Sequence, residues 1–91
     1  NHPEINVMLG DASLLPAEPK YDILLANINR NIILSDLHSY AAAVKSGGNI
    51  ILSGFYHEDI PLLLEEGKKY GLEYVTDTQM DKWACLKLVK K

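Results

Sequence analysis

Residues 21–28 read Tyr-Asp-Ile-Leu-Leu-Ala-Asn-Ile, and the fold follows from how that run is made. Ile23, Leu24 and Leu25 stand together with no polar residue between them, which is how a strand buried on both faces reads. The run breaks at Ala26-Asn27, and Asn29, Arg30 and Asn31 follow before a helical period sets in. A buried parallel strand that ends in a carboxamide delivers it to the carboxyl edge of the sheet, where open α/β sheets bind ligands. Asn27 is therefore the first candidate for a functional residue. The competing reading, that it turns the chain or caps the next helix, stays open at this level.

Downstream, Ile33, Leu37, Tyr40, Ala41 and Val44 recur on one helical face. The spacing predicts a helix from Asn31 to Ser46, stopped by Gly47-Gly48, with Lys45 at the negative end of its dipole. Asn49 to Ser53 is a second short buried strand ending at Gly54. A helix between two such strands is a crossover, so the strands should be parallel neighbours. A second helix is expected from about Glu58 to Tyr70, burying Ile60, Leu63, Leu64 and Gly67 and ending at a left-handed Gly71. His57-Glu58-Asp59 at its start reads as capping chemistry ahead of a catalytic cluster.

Leu72–Thr76 and Trp83–Val89 then form an antiparallel pair around a polar turn at Thr78–Lys82. Cys85, in mid-strand, reads as core. Upstream, Ile5–Leu9 is a strand that stops at Gly10-Asp11-Ala12, either a plain turn or a carboxylate set on the sheet rim. Ser13–Lys20, with Pro16 and Pro19, is a loop.

Composition sets the outer limits. With 91 residues, 47% of them hydrophobic, and a net charge of −3, the chain is a small soluble globular domain or a piece of a larger one. Its positive charges are scattered, which argues against a nucleic-acid footprint. No apolar run is as long as a membrane span, and no signal peptide stands out. One cysteine excludes an internal disulfide and fits a reducing, cytoplasmic setting. Three scattered histidines and that cysteine make no metal-ligand spacing, so no metal is expected. The chain starts Asn1-His2-Pro3 and enters a strand almost at once, so it is expected to be a segment of a longer protein.

The order strand, loop, strand-helix-strand-helix-strand-strand is similar to the second half of a class I S-adenosylmethionine-dependent methyltransferase. Gly10-Asp11-Ala12, the Asp22–Ile28 segment with its Ala-Asn-Ile, Ser46-Gly47-Gly48, Ser53-Gly54 and Trp83-Ala84 together resemble the ribosomal protein L-eleven methyltransferase family over essentially the whole chain. The resemblance implies a partial Rossmann-like sheet, mostly parallel with a C-terminal antiparallel hairpin, comprising strands three to seven of the catalytic domain. It implies that Asp11 accepts the adenine amino group of S-adenosylmethionine and that the backbone N–H of Ala12 sits beside it. Asn27 would face both the methionine end of that cofactor and the target amine. Ile28 would be a pocket wall, and Asn29, Arg30 and Asn31 would be substrate contacts. Relatives that methylate amines often carry Asn-Pro-Pro-Tyr at this corner, where this chain has Asn27-Ile28-Asn29-Arg30, so no aromatic or proline contact is carried over.

The family's glycine-rich loop and ribose-binding acid are not among these residues, and Gly47-Gly48 has the wrong context to replace them. The implied activity is methyl transfer to lysine or N-terminal amines of a ribosomal protein in the intact enzyme. This chain alone is expected to be inactive and to bind no cofactor. The strand order of the family also separates strand three from strand four. The Tyr21 strand would then be an apolar edge, open to missing segments, to a rearranged first strand, or to self-association. The alternatives are a class I methyltransferase with a different acceptor and a non-catalytic α/β binding module.

Overall fold

The computed structural model describes residues 4–8 and 15–91. In chain order the elements are β1 (Ile5–Met8), β2 (Tyr21–Asn27), α1 (Arg30–Ala43), β3 (Val44–Tyr56), a 3-10 turn at His57–Asp59, α2 (Ile60–Lys68), β4 (Leu72–Met80) and β5 (Trp83–Lys90). They form one five-stranded sheet in the order β1-β2-β3-β5-β4. β1, β2 and β3 run parallel, while β5 is antiparallel to both β3 and β4. The expected α/β sheet with its closing hairpin is present. With two parallel and two antiparallel pairings it is evenly mixed, where a mostly parallel sheet was expected.

Both helices pack on one face of that sheet. Leu24 and Ala26 of β2, Ile50, Leu52 and Phe55 of β3, and Ala84, Leu86 and Leu88 of β5 form one buried cluster with Ile33, Leu37, Tyr40 and Ala41 of α1 and Leu63 of α2. The residues that alternate with them (Ile23, Leu25, Ile51, Cys85, Val89) point to the other face and are only half-buried. On β1, Ile5 and Val7 sit in register with Ile23 and Leu25 on that same open face and are exposed.

Several boundaries differ from the sequence reading, each for a pairing reason. α1 ends at Ala43, three residues before the predicted Ser46. Val44 is already extended and paired with Tyr21, and the amide of Lys20 donates to the Ala43 carbonyl. Parallel pairing to β2 thus captures the chain before the glycines are reached. Gly47, at φ 87°, instead accommodates the irregularity by which register jumps from Tyr21↔Val44 to Ile23↔Asn49. Lys45 consequently lies in β3, 3.7 Å from the Asp22 carboxylate, and not at a helix end. β4 runs on to Met80, past the expected Thr76, because pairing continues through Met80↔Trp83 to a tight turn at Asp81-Lys82, with Asp81 at φ 57°, while β5 gains Lys90 opposite Leu72. The second helix proper is Ile60–Lys68, introduced by the 3-10 turn.

β1 lies directly beside β2, where the family's order would put two other strands between them. Met8 and Tyr21 are separated in sequence by about the dozen residues that a parallel crossover needs. Of the three ways to satisfy the β2 edge, the rearranged first strand is the one seen, and it buries backbone groups that would otherwise be a template for another chain. Among the described residues no helix is long and apolar enough to cross a membrane.

Candidate functional site

Cross-strand register assembles the site. Asn27 ends β2 opposite Ser53 of β3, Ser53 faces Cys85 of β5, and Cys85 faces Thr78 of β4. These four side chains form one row across the open face at the carboxyl ends of β2 and β3. The next row is Tyr56, Trp83 and Met80. Together the two rows border a cavity of about 430 Å³ lined by Asn27, Ser53, Gly54, Thr78, Met80, Trp83, Ala84 and Cys85, within the size range of small-ligand sites.

Gly54 is the hinge of this geometry. Its φ of 94° belongs to the left-handed region that glycine tolerates, and a Cβ there would stand 2.7 Å from Asn27 Oδ1. The irregularity between Ser53 and Phe55 falls at the same point, so that Ser53 faces the open side and Phe55 the core. Asn27 itself is exposed, and its amide makes no hydrogen bond among the described residues. The Ile28 amide donates to the Ser53 carbonyl at 3.1 Å, which holds the turn after Asn27 against β3.

The neighbouring candidates separate into different jobs. Ile28 packs partly buried against the hydrophobic core and does not line the cavity beside Asn27. Asn29 is the N-cap of α1: its Oδ1 accepts the Ile32 amide at 3.0 Å. Arg30 Nη1 donates to Asp59 Oδ1 at 3.1 Å, and its Nε donates to Asn31 Oδ1 at 3.3 Å. The Asp59 side chain is 11% exposed, and its Oδ2 also accepts the Tyr56 amide at 3.2 Å. Asp59 thus ties the start of α1 to the end of β3, and the expected capping role of His57-Glu58-Asp59 rests on this residue. Asn29, Arg30 and Asn31 line a second cavity of about 290 Å³ with Gly54, Tyr56, Asp59 and Trp83. The two cavities share Gly54 and Trp83, and the first is apolar where the second is charged. Asp11 and Ala12 lie outside the described residues.

Sequence reading missed the β5 side of this site. Cys85 was expected in the core; it is half-buried in the floor of the cavity. Trp83, 48% exposed, stacks on Tyr56 with ring centroids 4.9 Å apart and planes 14° from parallel. The signal that could have found them is the tight turn at Asp81-Lys82, because counting back from it pairs Met80 with Trp83 and Thr78 with Cys85. Among the described residues no group of three or more potential metal ligands comes together.

The family model described as Ribosomal protein L11 methyltransferase (PrmA) matches residues 1–91. The ribosomal protein L11 methyltransferase of Phocaeicola vulgatus is 45% identical over 87 residues, covering 96% of this chain and 31% of that protein. That of Porphyromonas gingivalis is 45% identical over 84 residues, covering 92% and 29% respectively. The chain therefore spans about a third of the length of these relatives. Among solved structures, the ribosomal protein L11 methylase of Lactobacillus delbrueckii subsp. bulgaricus superposes with a TM-score of 0.72 at 20% identity, covering 80% of this chain and 38% of that one. The antibiotic-resistance methyltransferase Kmr superposes with a TM-score of 0.67 at 15% identity, covering 90% and 57%. At those identities the two structures speak for the fold alone.

Proposed function

The chain belongs to the ribosomal protein L11 methyltransferase family, and on that premise we propose that it supplies the C-terminal part of a catalytic domain that methylates lysine or N-terminal amines of ribosomal protein L11 with S-adenosylmethionine. The observation that carries this reading is the Asn27 amide, exposed at the end of β2 and hydrogen-bonded to none of the described residues, in a cavity that Gly54 keeps open. The fit to the methyl donor is local: a carboxamide stands where a sheet of this type binds its ligand.

Bound S-adenosylmethionine supplies a methyl group activated on a sulfonium. What falls to this chain's residues is to hold the acceptor. An in-line displacement needs a neutral amine with its lone pair aimed at the methyl carbon. The Asn27 carbonyl accepts a hydrogen bond from that amine and fixes its direction, and an amide is too weak a base to keep the proton. Asp11 and Ala12 hold the adenine end. The glycine-rich half of the cofactor site lies in sequence outside these residues, so the chain by itself is inactive. A cytoplasmic location follows from a ribosomal substrate.

The experiment uses the full-length protein. Asn27→Ala should lower turnover on ribosomal protein L11 by about a hundredfold, the scale of lost positioning, with a far smaller change in S-adenosylmethionine affinity by calorimetry. An equal loss in both measurements would remove the amine-orienting role. Asp11→Ala should do the reverse and chiefly weaken cofactor binding.

A further inference from the structure

α1 begins with Arg30, and no acidic residue stands in its first turn. The helix dipole is positive at that end, where a cation is least favoured. Asp59 shows a matching departure. It occupies the N-cap position of α2 but makes no side-chain capping bond to that helix. One carboxylate oxygen turns back to the Tyr56 amide, and the other takes Arg30 Nη1 at 3.1 Å. Each residue forgoes its local preference for a partner 29 positions away. Departures of this kind concentrate at functional sites. The carboxylate is also buried, and a buried charge persists there only with a partner.

We propose that Arg30 and Asp59 are positioning residues for Asn27. Ile28 and Asn29 alone separate Asn27 from Arg30, so the place where α1 starts limits where β2 can hold its carboxamide. The Ile28 amide ties this turn to the Ser53 carbonyl, and the Asn29 side chain ties it to the first turn of α1. Neither bond fixes α1 against the far end of β3. The ion pair does, because Asp59 also holds the Tyr56 amide, and the Tyr56 ring stacks on Trp83. One carboxylate thus sets the spacing among the β2 turn, the end of β3 and the start of β5. A cavity of about 290 Å³ bordered by Asn29, Arg30, Gly54, Tyr56 and Asp59 lies beside the turn. Once the pair is broken, the turn has room to shift into it. The inference rests on Asn27 being the orienting residue, and it adds the pair that keeps the amide in place.

The test uses the full-length enzyme with ribosomal protein L11 and S-adenosylmethionine. Arg30→Gln and Asp59→Asn should each lower kcat about tenfold, with KM for the protein substrate and cofactor affinity within about twofold of the parent. The Arg30 side chain is 45% exposed, so Arg30→Gln carries the test even where Asp59→Asn disturbs folding. Arg30→Lys should restore most of the rate, because the contact to Asp59 runs through one nitrogen and a point charge can make it. The deciding measurement is a double-mutant cycle. Arg30→Gln added to Asn27→Ala should cause no further loss, since the pair acts through the Asn27 amide. Full multiplication of the two losses would mean that the pair only stabilises the fold, and it overturns the inference. So does an unchanged kcat in Arg30→Gln and Asp59→Asn, and in both cases a crippling Asn27→Ala leaves the role of Asn27 standing. A benign Asn27→Ala removes that role itself, and the positioning inference falls with it.

Discussion

Leu24, Ala26, Ile50, Leu52, Leu86 and Leu88 lie on one face of the sheet beneath α1 and α2, where all are buried. Ile23, Leu25, Ile51, Cys85 and Val89 alternate with them and differ little in chemistry, yet they remain half-exposed on a face that no described helix covers. The difference teaches what an unbroken apolar run means. It reports that both faces of a strand suit burial, and it is silent on whether one chain supplies both covers. The open face is also where the candidate site sits, since Asn27, Ser53, Cys85 and Thr78 belong to it. The buried core therefore lies on one face and the candidate site on the other, with Gly54 at their junction.

Four substitutions sharpen or break this division. The largest effect should come from the covered face: Leu52→Ala leaves a cavity under the helices and should cost about 2–5 kcal/mol by urea unfolding. A loss no greater than that of an open-face residue would break the comparison. Next is Gly54→Ala, which forces a Cβ into left-handed backbone and against Asn27 Oδ1; about 1–2 kcal/mol is expected from the backbone alone. In the full-length enzyme it should also lower turnover, because Asn27 must move. Retained stability and turnover together would show that the junction tolerates a side chain.

Tyr40→Phe should act in the opposite direction. The Tyr40 hydroxyl is buried without a partner among the described residues, and removing it should stabilise the fold by about 1 kcal/mol in denaturant titration. Burial first, and the Asp36 charge second, push the Tyr40 pKa up to about 12. A pKa raised by folding gives stability that is complete below the unfolded value and is lost as pH climbs from about 10 towards 12. The phenylalanine variant should lack that alkaline loss, and an unchanged slope would mean that the hydroxyl is solvated.

The smallest effect belongs to the open face. Ile51→Ala in the 91-residue chain should cost under about 1 kcal/mol, because a half-exposed side chain has less burial to lose. The same change in the full-length protein separates two situations. A cost rising to that of Leu52→Ala would mean that further polypeptide covers this face. An unchanged cost would leave it facing water.

Much of the fold was legible before any coordinates. The period of Ile33, Leu37, Tyr40 and Ala41 located α1 and its buried side, and Gly71, at φ 76°, ended the second helical segment as expected. The strand over Trp83–Val89 was expected, but its buried side is Ala84, Leu86 and Leu88, where Cys85 had been read as core. The exit from α1 was not legible, because Val44 has local preferences compatible with a helix and leaves it only for a partner at Tyr21. Of the site, Asn27 was visible as a polar residue closing an apolar run. Asn29, Arg30 and Asn31 were visible as polar residues, but capping and ion pairing with Asp59 engage two of them.

The sequence by itself determined the order of the elements and which residues of each are apolar. It did so because helical and strand periods, glycine stops and proline are properties of neighbours along the chain. Only the tertiary structure decided that α1 stops at Ala43, that β1 covers the β2 edge, and that Trp83 and Cys85 share a cavity with Asn27. Those outcomes depend on register between strands up to 58 positions apart, as between Asn27 and Cys85 through Ser53. Register is set by competition among backbone hydrogen bonds across the whole sheet, and no local window of residues contains it.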